Sequence, residues 1–305
     1  MSSRRFIALG TASQVPTRER NHNGYFLRWD AEGFLFDPGE GTQRQMIFAD
    51  VSASAVTKIF ITHFHGDHCL GLAGVLQRIS LDRVPQTISV YYPASGEKYL
   101  DSLTNSSIYH NFAKIERVPI SGEGVVCEGK DYVVEARRLD HSVESWGYRL
   151  AENDSVSLLP EKLAAFGLRG SEIGVLKKNG ALEINGKTIA LEDCGVEKKG
   201  QSFAFVMDTR LCDNAFRLAE NVDLLVCEST YLAAETAEAV AHGHLTATQA
   251  AEIARRARAD RLVLTHFSQR YPNIGDFLAE ARTIHQNTAV VKDGDFVDLP
   301  KRKKL

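Results

Sequence analysis

The feature that most constrains this chain is a dense run of potential metal ligands after a short apolar segment. Four ligands fall within six residues, in the spacing H-x-H-x-D-H: His63, His65, Asp67 and His68. The apolar run 58–62 before them predicts a buried strand, and the run 71–81 after them predicts a helix. In a non-helical turn, alternate residues point to one side, so His63 and His65 can converge on one ion. Asp67 and His68 can then face a second ion, and imidazole with carboxylate suits zinc. A solvated histidine-rich loop is the alternative, which the buried strand disfavours.

Three further residues of ligand type come at the ends of predicted strands: His141, Asp208 and His266. At a strand end a side chain leaves the sheet and meets a crevice, where metal sites are commonly built. We therefore predict one ion held by His63, His65 and His141, and a second held by Asp67, His68 and His266. Asp208 would bridge the two ions. Two zinc ions about 3.5–4 Å apart can share a water and lower its pKa toward 7. Taken singly, each of the three could instead be a buried structural histidine or a turn aspartate.

Composition limits the domain count, the partners and the cellular compartment that the sequence allows. The chain has 305 residues, of which 44% are hydrophobic, enough for one large domain or two packed halves. The net charge is −3, so contact with nucleic acid would come from a local patch. The five cysteines are scattered, which argues against a disulfide framework and fits a reducing cytosol. We find no signal peptide or membrane span, and expect a cytoplasmic protein with no membrane partner.

Strands and helices alternate along the predicted secondary structure in two strand-rich halves. Strands are predicted at 6–10, 25–29, 34–36, 58–62, 88–92, 132–139, 146–150, 202–207, 223–227, 261–265 and 289–291, and helices at 42–49, 71–81, 95–110, 213–219, 246–258 and 274–285. Thr246 is a predicted helix N-cap. Sheets with helices outside them predict an α/β protein built as a four-layer αββα sandwich, one domain over residues 1–305.

Residues 151–200 differ from the rest of the chain. Seven glycines divide them into short runs, and no long periodic element is predicted. Between residues 169 and 187 there are four basic residues against two acidic ones. We predict an inserted flexible arm with a locally basic tip, with an ordinary surface excursion as the alternative. The basic tail 301–304 is read as solvated.

These motifs resemble the metallo-β-lactamase superfamily and, within it, the ribonuclease Z family, over nearly the whole chain. The run THFHGDHCLG at 62–71 matches the superfamily signature. Matches to the family follow in its order: LGT through VPTRERN (9–21), DPGEGTQ (37–43), GYR (147–149), DTR (208–210), CESTY (227–231), HLTA (244–247) and HFSQRY (266–271). The opening loop together with the last of these segments makes the resemblance specific to the family.

The resemblance implies the metallo-β-lactamase-type αββα fold and a homodimeric endoribonuclease with two zinc ions per subunit. Such an enzyme cuts precursor tRNA after the discriminator nucleotide by metal-hydroxide attack and leaves a 3′ hydroxyl. It further implies that Asp67 is both ligand and general base. His244 would donate a proton to the leaving 3′ oxygen, oriented by Glu228. From spacing alone, His242 would fit the position of His244 equally well.

Substrate contacts are expected from arginine and lysine. Arg18 and Arg270 are candidates because a guanidinium fork suits phosphate oxygens, although a structural ion pair would explain either one. The resemblance makes residues 151–200 the family's tRNA-binding exosite, with Arg169, Lys177 and Lys178 as contacts. The family's arm usually carries a Gly-Pro-rich motif, whereas 167–174 has no proline. The departure bears on arm geometry and tRNA affinity, not on the chemistry.

Three other functions compete with this one. A hydrolase of small phosphodiesters, thioesters or lactones would share the seven ligands but would not need the arm or the segment 267–271. A diiron oxidoreductase on this fold would usually carry a carboxylate at the position of His65 and no ligand at that of His68. A non-catalytic RNA-binding protein would be expected to have lost ligands, and none is lost here. Manganese or iron in place of zinc stays open.

Overall fold

The structure, a computed structural model, describes residues 4–184 and 186–300, so the basic tail 301–304 lies outside the described residues. Strands are numbered here in chain order. They are β1 (Arg4–Gly10), β2 (Ala12–Ser13), β3 (Gly24–Trp29), β4 (Glu32–Phe36), β5 (Lys58–Phe60), β6 (Thr87–Pro93), β7 (Lys114–Ile120), β8 (Gly124–Glu128), β9 (Tyr132–Leu139), β10 (Ser145–Glu152), β11 (Ser155–Leu158), β12 (Ala181–Ile184), β13 (Lys187–Ala190), β14 (Gly195–Lys198), β15 (Ser202–Val206), β16 (Leu224–Glu228), β17 (Arg261–Thr265), β18 (Phe267–Ser268), β19 (Thr288–Val290) and β20 (Phe296–Asp298).

Helices are numbered in the same way. They are α1 (Thr42–Phe48), α2 (Gly66–Cys69), α3 (Leu72–Leu81), α4 (Glu97–Thr104), α5 (Pro160–Ala165), α6 (Ser171–Asn179), α7 (Asp213–Ala219), α8 (Thr236–His242), α9 (Ala247–Ala257) and α10 (Gly275–Arg282). The predicted cap of α9 is confirmed, because the Thr246 side chain accepts from the Gln249 N–H and the Gln249 side chain accepts from the Thr246 N–H. Among the described residues, no helix is both long and apolar enough to cross a bilayer.

Two seven-stranded sheets carry the fold. Their strand orders are β20-β1-β3-β4-β5-β6-β7 and β19-β17-β16-β15-β10-β9-β8. An aromatic layer joins their inner faces: the Phe36 and Phe205 ring centroids are 4.7 Å apart, and those of Phe60 and Tyr148 are 5.0 Å apart. Apolar side chains of α1, α3 and α4 pack with the first sheet, and those of α7, α9 and α10 pack with the second. The predicted αββα layering is confirmed.

Parallel strand pairs decide where polar side chains gather. In the first sheet β4, β5 and β6 run parallel, and in the second β15, β16 and β17 do so. Neighbouring parallel strands end at the same edge of a sheet, and ligands of open α/β sheets bind beyond this carboxyl edge. Several of these strands are followed directly by a residue of ligand type. Examples are Asp37 after β4 and His266 after β17.

The chain separates into two compact units. The larger consists of the residues up to Glu128, then Val134–Leu150, then those from Ser202 onward. The smaller consists of Gly129–Val133 and Ala151–Gln201. The smaller unit contains the two-stranded sheets β11·β14 and β12·β13, the helices α5 and α6, and its own apolar cluster. The sequence did not predict these elements, because each is too short to establish a hydrophobic period.

Two other predictions differ from the structure. The helix predicted at 95–110 is α4, Glu97–Thr104, because the polar run Asn105–Ser107 that follows has no apolar residue to continue a buried face. The helix α8 was not predicted, and neither were the strands β2, β7, β8, β18 and β20. The residues 66–69, expected to be a turn, form the single helical turn α2, which carries Asp67 and His68.

Candidate metal centre

Seven ligand-type side chains converge just beyond the carboxyl ends of β5, β9, β15 and β17. They lie in two groups, and within each group the ligand atoms are all within 4.8 Å of one another: His63, His65, His141 and Asp208 in one, and Asp67, His68 and His266 in the other. The loop after β5 together with α2 supplies four of them, and the ends of β9, β15 and β17 supply one each. The structure therefore brings together all seven residues that the sequence singled out as ligands.

The first group surrounds the side chain of His65. His65 Nδ1 lies 2.9 Å from His63 Nε2 and 3.3 Å from His141 Nε2. The Oδ2 atom of Asp208 lies 3.6 Å from His63 Nε2 and 3.8 Å from His141 Nε2. Four ligand atoms from three separate parts of the chain thus face one point.

Asp208 also contacts the second group. His68 Nε2 is 3.4 Å from both Asp67 Oδ2 and Asp208 Oδ2. His266 Nε2 is 3.7 Å from Asp67 Oδ2 and 3.1 Å from Asp208 Oδ1. Asp208 therefore contacts both groups, and its two carboxylate oxygens approach different histidines of the second.

These spacings suit a metal ion. Zinc binds nitrogen at about 2.0–2.1 Å, so tetrahedral ligand atoms lie about 3.4 Å from one another, close to the distances observed. Asp208 Oδ1 and His266 Nε2 are also buried, and neither has a hydrogen-bond partner among the described residues. Buried polar atoms without partners are rare and call for an ion or a water. The buried histidine and aspartate clusters are consistent with a metal site.

The outer nitrogens of the histidine rings are held by hydrogen bonds. Nδ1–H donates from His63 to Thr62 Oγ1 at 3.0 Å, from His68 to Asp37 Oδ2 at 2.9 Å, from His141 to the Gly243 carbonyl at 2.9 Å, and from His266 to Thr230 Oγ1 at 2.8 Å. The hydroxyl hydrogens of Thr62 and Thr230 go to carboxylates, so each hydroxyl oxygen accepts. These bonds fix the ring orientations and direct each Nε2 into the site.

Asp37 is the functional side chain that sequence reasoning missed. It is fully buried, and it accepts from the Thr62 backbone N–H at 2.7 Å as well as from the Thr62 hydroxyl and His68. The glycines around it were the available signal. A Cβ on Gly39 would lie 2.1 Å from the Asp67 carbonyl, so the segment after Asp37 packs directly on α2.

Three residues of the site have left-handed backbone. Asp37, Asp208 and His266 have φ of 44°, 43° and 63°, values that residues with a Cβ seldom adopt. Each stands just after a strand of a parallel set. The abrupt turn lets the side chain leave the sheet and enter the site. Such strain concentrates at functional sites.

The charge balance of the second group favours a bound cation. Burial acts to lower the pKa of His68, but Asp208, Asp67 and Asp37 outweigh it and raise this pKa well above its ordinary value. Burial likewise acts to raise the pKa of Asp208, and the neighbouring His266, His68 and His244 hold it well below its usual range. Three carboxylates in a buried space need positive charge, which a metal ion supplies.

His244 and Glu228 form a pair beside the two groups. His244 Nδ1 lies 3.0 Å from Glu228 Oε1 and 3.9 Å from Asp208 Oδ2. Burial acts to lower the pKa of His244, but Glu228 and Asp208 outweigh it and raise the pKa to about 9. His242 is exposed and bonds to the Tyr231 hydroxyl at 2.9 Å. His244 also forms a third possible metal group with Asp208 and His266, which the sequence did not suggest.

A cleft of about 820 Å³ opens onto these residues. His65, Asp67, His141, Asp208 and His244 line it, and so does Arg270, whose guanidinium lies 5.0 Å above the centre of the Tyr231 ring. The other basic residues singled out from the sequence lie elsewhere. Arg18 lines a separate groove with Arg44 and Asp293, and Arg169, Lys177 and Lys178 are exposed residues of the smaller unit.

Comparisons with known proteins agree with this geometry. The model of the metallo-beta-lactamase superfamily matches residues 17–145, and that of the beta-lactamase superfamily domain matches residues 186–267. Ribonuclease Z of Salinispora arenicola is 53% identical over 282 residues, which cover 92% of this chain and 91% of that protein. Ribonuclease Z of Streptomyces coelicolor is 51% identical over 305 residues, which cover 99% of this chain and 100% of that protein.

The similarity extends to a solved structure. The short form of human tRNase Z superposes with a TM-score of 0.71 at 27% sequence identity, covering 97% of this chain and 100% of that one. Identity near half over almost the full length, the same fold and the clustered histidines and aspartates lead to one conclusion. The chain belongs to the ribonuclease Z family of the metallo-β-lactamase superfamily.

Proposed function

We propose that this ribonuclease removes the 3′ trailer of precursor tRNA with two zinc ions, leaving a 3′ hydroxyl after the discriminator nucleotide. The observation that carries the proposal is the position of Asp208, whose carboxylate lies within 4 Å of ligand nitrogens of both groups. Two adjacent ions are suited to an in-line displacement at phosphorus. The human relative's name, tRNase Z, and the shared fold support tRNA as the substrate.

In this proposal His63, His65 and His141 would hold the first ion, Asp67, His68 and His266 would hold the second, and Asp208 would contribute to both. Bound zinc would supply Lewis acidity, which lowers the pKa of an attacking water and neutralises charge on the phosphate oxygens. Asp67 Oδ2 accepts the Gln14 backbone N–H at 2.8 Å, which holds this carboxylate at the cleft wall. Asp67 would then take the proton from the attacking water.

His244 would donate the proton to the leaving 3′ oxygen. Burial acts to lower the pKa of His244, but the carboxylate of Glu228 at 3.0 Å favours its protonated form, which is the form that can act as an acid. Glu228 is fully buried, accepts from His244, and also accepts from the Thr209 N–H at 2.9 Å. This second bond holds Glu228 in place, so that the imidazole is oriented by a fixed carboxylate.

The proposed function is tested with a labelled precursor tRNA carrying a 3′ trailer, with and without a chelator. We expect one cut near the discriminator, lost with chelator, restored by zinc, and reduced at least about a thousandfold in Asp67→Ala, because a ligand and the proposed base are removed together. Asp82→Ala, an exposed aspartate outside the cleft, serves as the control and should cleave normally. Intact precursor beside rapid hydrolysis of bis(4-nitrophenyl) phosphate would favour the small-substrate hydrolase instead.

The smaller unit is proposed to bind the body of the tRNA. Lys177 and Lys178 lie in the last turn of α6, and both are exposed, as is Arg169. Exposed cations neutralise phosphates and make binding depend on salt. Alanine at all three positions should raise the KM for precursor tRNA about tenfold and flatten its salt dependence. Hydrolysis of bis(4-nitrophenyl) phosphate should stay unchanged.

Removing these charges is a milder change than deleting residues 167–186, which would leave β13 without its partner strand β12. The matched control replaces three exposed cations of the larger unit, Arg83, Lys98 and Lys114, and so changes the net charge equally. Equal losses on both substrates, or an equal loss in the control, would refute tRNA binding by this unit.

Homodimerisation stays a prediction from the family resemblance. The helix α1 exposes two large apolar side chains, Ile47 at 59% and Phe48 at 61%. Exposed apolar surface of this kind is typical of interfaces. It offers a surface for a second copy of the chain.

A further inference from the structure

Arg20 is a buried cation in the loop that leads into the cleft. It is only 7% exposed, and within residues 4–184 and 186–300 no carboxylate forms an ion pair with it. Burial lowers the pKa of its guanidinium, against the opposing effects of Asp293 and Glu19. Burying a charge without a close counter-ion costs free energy, so the burial of Arg20 needs a physical reason.

The guanidinium of Arg20 holds one short segment of backbone. Nη2 donates to the Ser268 carbonyl at 3.1 Å, and Nη1 donates to the Tyr271 carbonyl at 3.0 Å. These two carbonyls bracket Gln269 and Arg270. Nε is buried and has no hydrogen-bond partner among the described residues. The hydrogen bonds to the two carbonyls therefore use only part of the donor capacity of the guanidinium.

The same segment is anchored at both ends by other parts of the larger unit. The Phe267 N–H donates to the Thr11 carbonyl at 2.9 Å, and the Tyr271 hydroxyl donates to Glu235 Oε2 at 2.6 Å. Between these anchors, Arg270 is exposed in the cleft with its guanidinium above the Tyr231 ring. No carboxylate of the described residues forms an ion pair with Arg270, so its charge can meet a ligand, while Arg20 holds the backbone on either side of it.

We propose that Arg20 is a positioning residue, which fixes the Ser268–Tyr271 backbone so that Arg270 meets a phosphate of the RNA next to the metal centre. The inference rests on the proposed function, in which Arg270 is a phosphate contact. The guanidinium donates to the two carbonyls from two nitrogens in a fixed planar arrangement, which the single nitrogen of lysine does not provide. A misplacement of about 1 Å in a substrate-positioning group can lower a rate about a hundredfold.

The test is a double-mutant cycle on precursor tRNA with Arg20→Met, Arg270→Ala and the double variant. We expect each single variant to lower kcat/KM by about 10- to 100-fold, mainly through KM, with zinc content unchanged. Because Arg20 acts through Arg270, the double variant should fall no more than about twofold below the weaker single variant. If Arg20→Met does not fold, the cycle is run with Arg20→Lys, which keeps the charge but loses the planar contact made by two nitrogens.

Arg149 provides a matched control. It too is an arginine whose pKa is lowered by burial, and its Nη1 donates to the Leu218 and Glu220 carbonyls at 2.9 and 2.7 Å, away from the cleft residues. Arg149→Met should lower the melting temperature, and its effect on kcat/KM should multiply with that of Arg270→Ala. A purely structural role for Arg20 would give this multiplicative pattern.

The possible outcomes separate the two ideas. If Arg270→Ala lowers kcat/KM and the loss in the double variant equals the product of the two single losses, the positioning role of Arg20 is overturned. The phosphate contact of Arg270 is then retained. Normal cleavage by Arg270→Ala overturns the contact and, with it, the positioning role. Failure of the unchanged protein to cut precursor tRNA would show instead that the proposed function is wrong.

Discussion

Replacing Asp208 by asparagine is expected to abolish precursor cleavage and to lower the metal content of the protein. The side chain keeps its shape but loses the charge that contacts both ligand groups. In the proposed site this affects both ions at once, whereas a change at His141 would affect one. Lewis-acid stabilisation of several kcal/mol would be lost, which corresponds to a fall in kcat of about a thousandfold or more.

The measurement pairs elemental analysis with single-turnover cleavage over a range of added zinc. Asp298→Asn is the control, since that carboxylate is 62% exposed and contacts only Arg5 among its described ion pairs. It should retain metal and activity. Full metal content with near-normal cleavage in Asp208→Asn would remove Asp208 from the centre of the proposed mechanism.

His244→Ala should separate protonation of the leaving group from the attack on phosphorus. The variant is expected to lose about 10²–10⁴-fold in kcat on precursor tRNA, because the leaving 3′ oxygen then has no proton donor. On bis(4-nitrophenyl) phosphate the loss should stay below about tenfold, since 4-nitrophenolate leaves without a proton. Zinc content should be unchanged.

Two comparisons make this result decisive. His242→Ala should leave the ratio of the two activities near that of the unchanged protein, because His242 bonds to Tyr231 and not to Glu228. A fall in zinc content in His244→Ala would instead make His244 a ligand with Asp208 and His266, the third grouping that the structure allows. Equal losses on both substrates with full zinc content would exclude the role of proton donor.

The sequence predicted most of the core and all seven candidate ligands, because both depend on local patterns. Buried strands such as β16 and β17 are continuous apolar runs, and the loop after β5 carries four ligand types within six residues. The edge strand β7 has no such pattern. Lys114, Glu116 and Arg117 occupy it together with Pro119, a composition that protects an edge from pairing and also hides the alternation of a strand.

Asp37 shows what local patterns do not contain. Its partner His68 is 31 residues away, and the contact arises only when the ends of β4 and β5 lie side by side. The elements of the smaller unit were missed for a related reason. Their strands of four residues depend on a small shared cluster that includes Leu176 and Ile189, rather than on any period of their own.

The left-handed backbone at Asp37, Asp208 and His266 has a consequence for how such an enzyme changes over generations. A non-glycine residue held in this conformation costs about 1 kcal/mol or more. At Asp37 and Asp208 the fold also bears a buried carboxylate. Glycine at Asp208 would relieve both costs, whereas glycine at Asp37 would leave the buried donors of Thr62 and His68 without their acceptor. In a gene copy freed from the need to cleave RNA, we therefore expect Asp208 to be among the first residues to drift, yielding a more stable but inactive descendant.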